Sequence, residues 1–103
     1  MIKVTKIMNY IISVEEQKIW TNKLFELLTA GIIKPIPKPP EWIAADGTIR
    51  PMPLNIHTDI SPGIGDKFIQ YWNSEEEFNI FSQNILEAIP ATSVNTVLSI
   101  EEV

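Results

Sequence analysis

Seven of the chain's eight prolines fall between Pro35 and Pro62, and this crowding constrains the fold more than any other feature of the sequence. Pro35, Pro37, Pro39 and Pro40 remove backbone donors at nearly alternate positions. Neither a helix nor a central strand can pass through residues 35–40. The stretch reads as an extended, polyproline-like edge, with Trp42 and Ile43 tucked back to pin it and a turn at Asp46-Gly47. A Pro-rich insertion or arm is therefore expected at about 34–53, within a single domain spanning residues 1–103.

Regular structure must then come from the flanks. Residues 1–12 alternate, with Ile2, Val4, Met8, Tyr10 and Ile12 on one face and Lys3, Thr5, Ile7, Asn9 and Ile11 on the other. Lys6 interrupts the first set. The period of two predicts a half-buried strand. Ser13-Val14-Glu15-Glu16 matches a capping box and predicts a helix of about four turns. Its apolar stripe is Ile19, Trp20, Leu24, Leu27 and Leu28, widened by Phe25, and Gly31 stops it.

Beyond the prolines, Leu54, Ile56, Thr58 and Ile60 alternate with Asn55, His57 and Asp59. Turn chemistry at 61–66 separates this run from an aromatic strand at Lys67 to Trp72, and the simplest pairing of the two is a hairpin. Ser74-Glu75-Glu76-Glu77 repeats the cap signature, followed by a stripe of Phe78, Phe81, Ile85 and Ile89 that ends at Pro90. A last strand is expected over Ser93 to Ile100.

The order strand, helix, strand, strand, helix, strand is that of an α+β, ferredoxin-like βαββαβ sandwich. It predicts a four-stranded antiparallel sheet with two helices on one face and strands 1 and 3 at its centre. The helices cover only that face. Four strands rich in Ile, Val, Tyr and Trp predict a large apolar patch on the other, and a second copy of the chain would cover it. Charge is split between the halves: residues 1–51 hold seven basic and five acidic side chains, residues 52–103 one and eight, giving the net −5.

The sequence also excludes function classes. It has no cysteine, so there is no disulfide framework, thiolate zinc site or cysteine nucleophile. A pI near 4.7 argues against nucleic acid as a partner. No apolar run approaches the roughly 20 residues of a membrane span, and the lysines among the opening apolar residues argue against a signal peptide. A cytoplasmic protein with no membrane partner is expected.

His57 is the single histidine. In a strand it shares a face with Asn55 and Asp59, and Asp59 two residues away could orient the imidazole as a general base or lone metal ligand. One histidine without cysteine makes a poor zinc site, so no metal is assigned. Tyr10, Tyr71 and Trp72 could line an aromatic pocket with Asn9, although alternation sends Tyr71 and Trp72 to opposite faces.

The segment from Phe68 through Tyr71-Trp72-Asn73-Ser74 to Phe78 resembles the strand-to-helix junction of dimeric α/β barrels of the antibiotic-biosynthesis-monooxygenase type. The opening strand and the helix at Ser13 sit where that fold puts them, whereas the Pro-rich stretch is long for such a protein. The resemblance implies a homodimer with sheets packed face to face and a pocket between sheet and helices for a small apolar or aromatic ligand. In its oxygenase version no cofactor is needed, because a bound phenolic substrate supplies the electrons. His57, Tyr71 and Asn9 are then the catalytic candidates, and Tyr10, Trp72, Asn55 and Asp59 the substrate-binding ones. The rival reading is a non-catalytic interaction module that docks another protein through the exposed sheet and the Pro-rich arm.

Overall fold

Local signals place both helices where the sequence puts them. The structure, a computed structural model, describes residues 1–51 and 63–103, with Arg50 and Pro51 described through their backbone alone. α1 (Val14–Thr29) begins at a complete capping box. Ser13 Oγ accepts the Glu16 N–H at 3.1 Å while Glu16 Oε1 accepts the Ser13 N–H at 3.0 Å. The helix ends in a Schellman arrangement, with the Ile32 N–H on the Leu27 carbonyl and the Gly31 N–H on that of Leu28. That geometry needs a left-handed residue, and Gly31 supplies it at φ +72°.

α2 (Glu75–Ala88) is capped by half of the expected box: Ser74 Oγ accepts the Glu77 N–H at 3.2 Å. The Glu77 carboxylate turns elsewhere. It accepts the Lys34 backbone N–H at 3.1 Å, and Asn73 Nδ2 donates to the Pro35 carbonyl at 2.9 Å. These two bonds tie the start of the Pro-rich stretch to the start of α2.

The strands are β1 (Ile2–Ile7), β2 (Glu41–Ile43), β3 (Ile49–Pro51), β4 (Lys67–Trp72) and β5 (Thr96–Glu102). They form one antiparallel sheet in the order β3-β2-β4-β1-β5. With β1 and β4 central and an extra outer strand at β3, this α+β arrangement is compatible with a ferredoxin-like fold. β1 runs against β4 from Ile2 opposite Trp72 to Ile7 opposite Lys67. Along β5 the register slips by one residue, which leaves Leu98 as a bulge.

Three boundaries differ from expectation. β1 ends at Ile7 instead of running to residue 12, because the Asn95 side chain intervenes. Its Oδ1 accepts the N–H groups of both Asn9 and Tyr10 at 2.8 Å, taking donors that a longer strand would need. β5 starts at Thr96, after a 3-10 turn at Pro90–Val94 in which the Asn95 N–H returns to Thr92. The neighbour of β4 over Lys67 to Ile69 is β2, so the hairpin expected between Leu54–Ile60 and this part of β4 has its place taken. The Leu54–Ile60 run itself lies outside the described residues. Residues 34–53 thus contain two strands of the sheet, joined by the expected Asp46-Gly47 turn.

Asp66 clasps this added hairpin. It is 5% exposed, and three donors converge on its carboxylate. Trp42 Nε1 at 2.7 Å and the Gly63 N–H at 2.8 Å meet Oδ2, and the Ala45 N–H at 2.8 Å meets Oδ1. Burial opposes its ionisation and the nearby Asp46 charge adds to that, but the three donors outweigh both and hold the carboxyl below its usual range.

Between helices and sheet, Ile2, Val4, Leu27, Ile33, Trp72, Phe78, Phe81, Ile85 and Ile89 form the core. The opposite face differs from the apolar patch expected. Lys3, Thr5, Glu41, Lys67, Ser99 and Glu101 fall on it by alternation, alongside Ile7, Ile43, Ile69 and Tyr71. Of those four, Ile69 and Tyr71 are already buried within the chain. The reason is phase: Ile2, Val4, Phe68 and Trp72 fall on the helix side, and the other phase of β1, β4 and β5 carries Lys3, Thr5, Lys67, Ser99 and Glu101 among its apolar residues. Exposed apolar side chains gather instead along the β5 edge, at Val97, Leu98 and Ile100.

Candidate functional site

His57, Asn55 and Asp59 lie outside the described residues. The remaining residues singled out from the sequence do not meet. Tyr71 sits on the helix-free face, where its hydroxyl donates to Glu41 Oε2 at 3.5 Å and Lys38 Nζ lies 4.7 Å from its ring. Trp72, its neighbour, points to the other face and is part of the core, 5.0 Å from Phe81 and 6.2 Å from Phe78. Asn9 and Tyr10 belong to the loop beyond the far end of β1. Asn9 Nδ2 donates to the Val94 carbonyl at 2.8 Å, stapling that loop to the start of β5.

Tyr10 donates its hydroxyl to Glu16 Oε1 at 2.7 Å, which extends the capping box by one member. That bond, then desolvation and the Glu16 charge, raise the phenol's pKa, so this tyrosine stays a proton donor. The Ser13 backbone N–H and the Tyr10 hydroxyl together lower the pKa of Glu16. These groups hold the α1 start in place. Nothing in their geometry turns them toward a ligand.

Much of the layer beneath the helices is filled by rings. Trp20 meets Phe81 edge-on at 5.0 Å and 86°, and Trp72 packs against both Phe78 and Phe81. On the outer side of α1 a shallow depression is lined by Asn22, Phe25, Glu26, Thr29 and Ala30, and it is open to solvent.

Beside the ring cluster the sheet carries one group that the core does not explain. Lys6 occupies the same strand phase as Ile2 and Val4, so its side chain enters the helix-side layer. It stands directly opposite Phe68 on β4 and Val97 on β5, and Gln70 is its diagonal neighbour on β4. Its ammonium lies 5.7 Å from the Phe78 ring centroid. Phe68 is itself stacked on Trp42 of β2, at 6.3 Å and 7°.

No carboxylate neutralises this lysine among the described residues, whose ion pairs are Met1 with Glu102, Lys18 with Glu15 and Lys23 with Glu26. Desolvation by burial lowers its pKa below the ordinary lysine value. Gln70 Oε1 accepts from Trp72 Nε1 at 3.4 Å, and the Gln70 amide nitrogen has no partner among the described residues. An amine, an amide donor and flat aromatic surfaces therefore share one side of the sheet. The sequence signal was the interruption of an apolar strand phase by a charge, which reading by residue type passed over in favour of His57 and the tyrosines.

Among the described residues, no group of three or more His, Cys, Asp or Glu side chains could hold a metal ion, and no helix is long and apolar enough to cross a membrane. Comparison with protein-family models, with curated proteins and with solved structures finds no match.

Proposed function

We propose that this protein binds a small, flat aromatic ligand that presents an oxygen acceptor, a carboxylate, phenolate or carbonyl, to Lys6. The observation that carries the reading is the desolvated Lys6 ammonium beside the Phe78 ring with no carboxylate partner among the described residues. Lys6 is half-buried, and a ligand oxygen would offset the remaining cost of desolvating its charge. Gln70, diagonal to Lys6 on the same face, offers a second donor.

The strand order supports placing the chain beside the dimeric α/β barrels, whose ligand pocket lies between sheet and helices, the layer that Lys6 enters. A homodimer is part of that reading. The exposed β5 residues Val97, Leu98 and Ile100 favour it more than the polar helix-free face does.

Tryptophan fluorescence titrations with benzoate, salicylate and 2-naphthoate test the proposal. We expect saturable quenching, strongest for the bicyclic acid, and a loss of about tenfold or more in affinity in Lys6→Met, the size of one charge-assisted hydrogen bond. Equal affinity in wild type and a folded Lys6→Met, or no saturable binding of any of the three acids, overturns it.

A further inference from the structure

We infer that two copies of this chain pair edge to edge, β5 against β5 in antiparallel register about Ile100, so that their two sheets become one continuous sheet. The inference deepens the homodimer in the reading above and rests on that part of it alone, since Lys6 and its ligand play no role in it.

The sheet ends in two outer strands, β3 and β5, and they close it differently. β3 has three residues and ends on Pro51, and shortness and proline both discourage a further strand. β5 has seven residues and contains neither lysine nor proline. The Val103 N–H donates to the Met1 carbonyl at 3.0 Å, which makes these two a hydrogen-bonded pair at the end of the β1–β5 ladder. Alternation then turns the backbone N–H and C=O of Glu102 and Ile100 away from β1. Among the described residues no strand lies on that side to receive them. An antiparallel neighbour takes them into a ladder.

Side chains select the neighbour. Val97, Leu98 and Ile100 are 39%, 50% and 39% exposed. Ile100 stands directly opposite Val4, which is fully buried in the helix-side core. The cross-strand row Gln70, Val4, Ile100 thus ends in an exposed apolar side chain, and a second Ile100 across the edge covers it and extends the row. Pairing about Ile100 sets Glu101 opposite the partner's Ser99 and Glu102 opposite the partner's Leu98. A parallel, in-register pairing would instead set each glutamate against its own copy, like charges directly opposed. Within the chain Lys3 stands opposite Glu101, and the Met1 amine lies 3.5 Å from Glu102, so neither acid is a lone charge guarding the edge. The bulge at Leu98 bends the strand and confines the pairing to Leu98–Glu102. An interface this short is a weak one, and dissociation in the micromolar range follows.

Light scattering on a size-exclusion column, from low to high micromolar concentration, tests the inference on the wild-type chain. We expect a monomer that becomes a dimer as concentration rises, and a dissociation constant raised about tenfold or more in Ile100→Lys, which puts a charge on the edge. The chain has no cysteine, so Ile100→Cys gives a second, position-specific readout. Opposed residues of a hydrogen-bonded antiparallel pair have Cα atoms about 5.5 Å apart, within reach of a disulfide. Mild oxidation should give a covalent dimer of Ile100→Cys and far less of Lys3→Cys, which lies on the face that two sheets packed face to face would bring together. A wild-type chain that stays monomeric overturns the inference together with the homodimer, and leaves the edge to a strand of a different protein. A dimer that Ile100→Cys does not crosslink, or that crosslinks equally well through Lys3→Cys, overturns edge pairing and leaves the homodimer standing. Crosslinking decides the matter alone if Ile100→Lys fails to fold, and the benzoate titration reads the ligand separately.

Discussion

Replacing Asp66 by asparagine should separate the β2–β3 hairpin from the rest of the sheet. The carboxylate takes three short bonds: those from Trp42 Nε1 and Ala45 N come from the added hairpin, and that from Gly63 N comes from the loop just before Asp66 itself. Asparagine offers one acceptor oxygen, so its NH2 must face at least one of the three N–H groups. Hydrogen bonds to a charged group contribute about 1.5–3 kcal/mol each, and a buried donor left without a partner costs about 1–3 kcal/mol. One bond lost and two weakened gives a destabilisation of about 3 kcal/mol, or about 12 °C or more in Tm for a domain of this size. β2 and β3 have three residues each, too few to hold without the clasp. Urea unfolding followed by Trp fluorescence and by far-UV circular dichroism should therefore give two transitions in Asp66→Asn where wild type gives one. The effect is also pH-dependent. Because the folded-state pKa is depressed, the clasp's contribution is fully present above the ordinary carboxylate value of about 4 and is lost as pH falls through the lower folded value. The gap between wild type and Asp66→Asn should thus be widest near neutral pH and close below about pH 4. A variant within about 0.5 kcal/mol of wild type at pH 7 would refute the reasoning, since ordinary surface substitutions do no more.

Two smaller predictions concern α1 and α2. Ser82 Oγ is buried with no hydrogen-bond partner among the described residues, so Ser82→Ala should stabilise the protein by about 0.5–1 kcal/mol, read from the urea midpoint, and destabilisation would mean that the hydroxyl has a partner. Gly31 has open space around its Cα but φ +72°, so Gly31→Ala should cost about 1 kcal/mol through backbone conformation alone, with Gly31→Asn costing less. Equal stability of the two variants would show that handedness does not limit that position.

Both helices were legible because their signals are local. Ser13 with Glu16, Ser74 with the Glu77 N–H, Gly31 and Pro90 each act within one turn of chain. The antiparallel order with β1 and β4 central was legible from alternation and topology. The second strand was not, because β2 has three residues directly after Pro40 and is fixed by Asp66, 24 positions away from Trp42. Nothing in Glu41-Trp42-Ile43 alone announces that partner. The same kind of distance hid the end of β1, which depends on the Asn95 side chain 85 positions from Tyr10. For the site, the sequence drew attention to residues with useful chemistry, His57, Tyr71 and Asn9, yet side-chain chemistry says little about which groups the fold brings together. The phase of Lys6 carried that information.

Apolar packing alone does not call for a charge at Lys6. A methionine at this position would have similar reach, would fill the same space beside Phe78 and Val97, and would carry no desolvation cost. The usual structural reasons for an inward charge are a salt bridge, which Lys6 lacks among the described residues, and protection of a sheet edge, which β1 does not form. Its aliphatic stem can pack, and the ammonium at its end meets the Phe78 ring at 5.7 Å, which offsets part of the desolvation cost. On the proposed function, an oxygen-bearing ligand would offset what remains of the cost of desolvating this amine in a central strand.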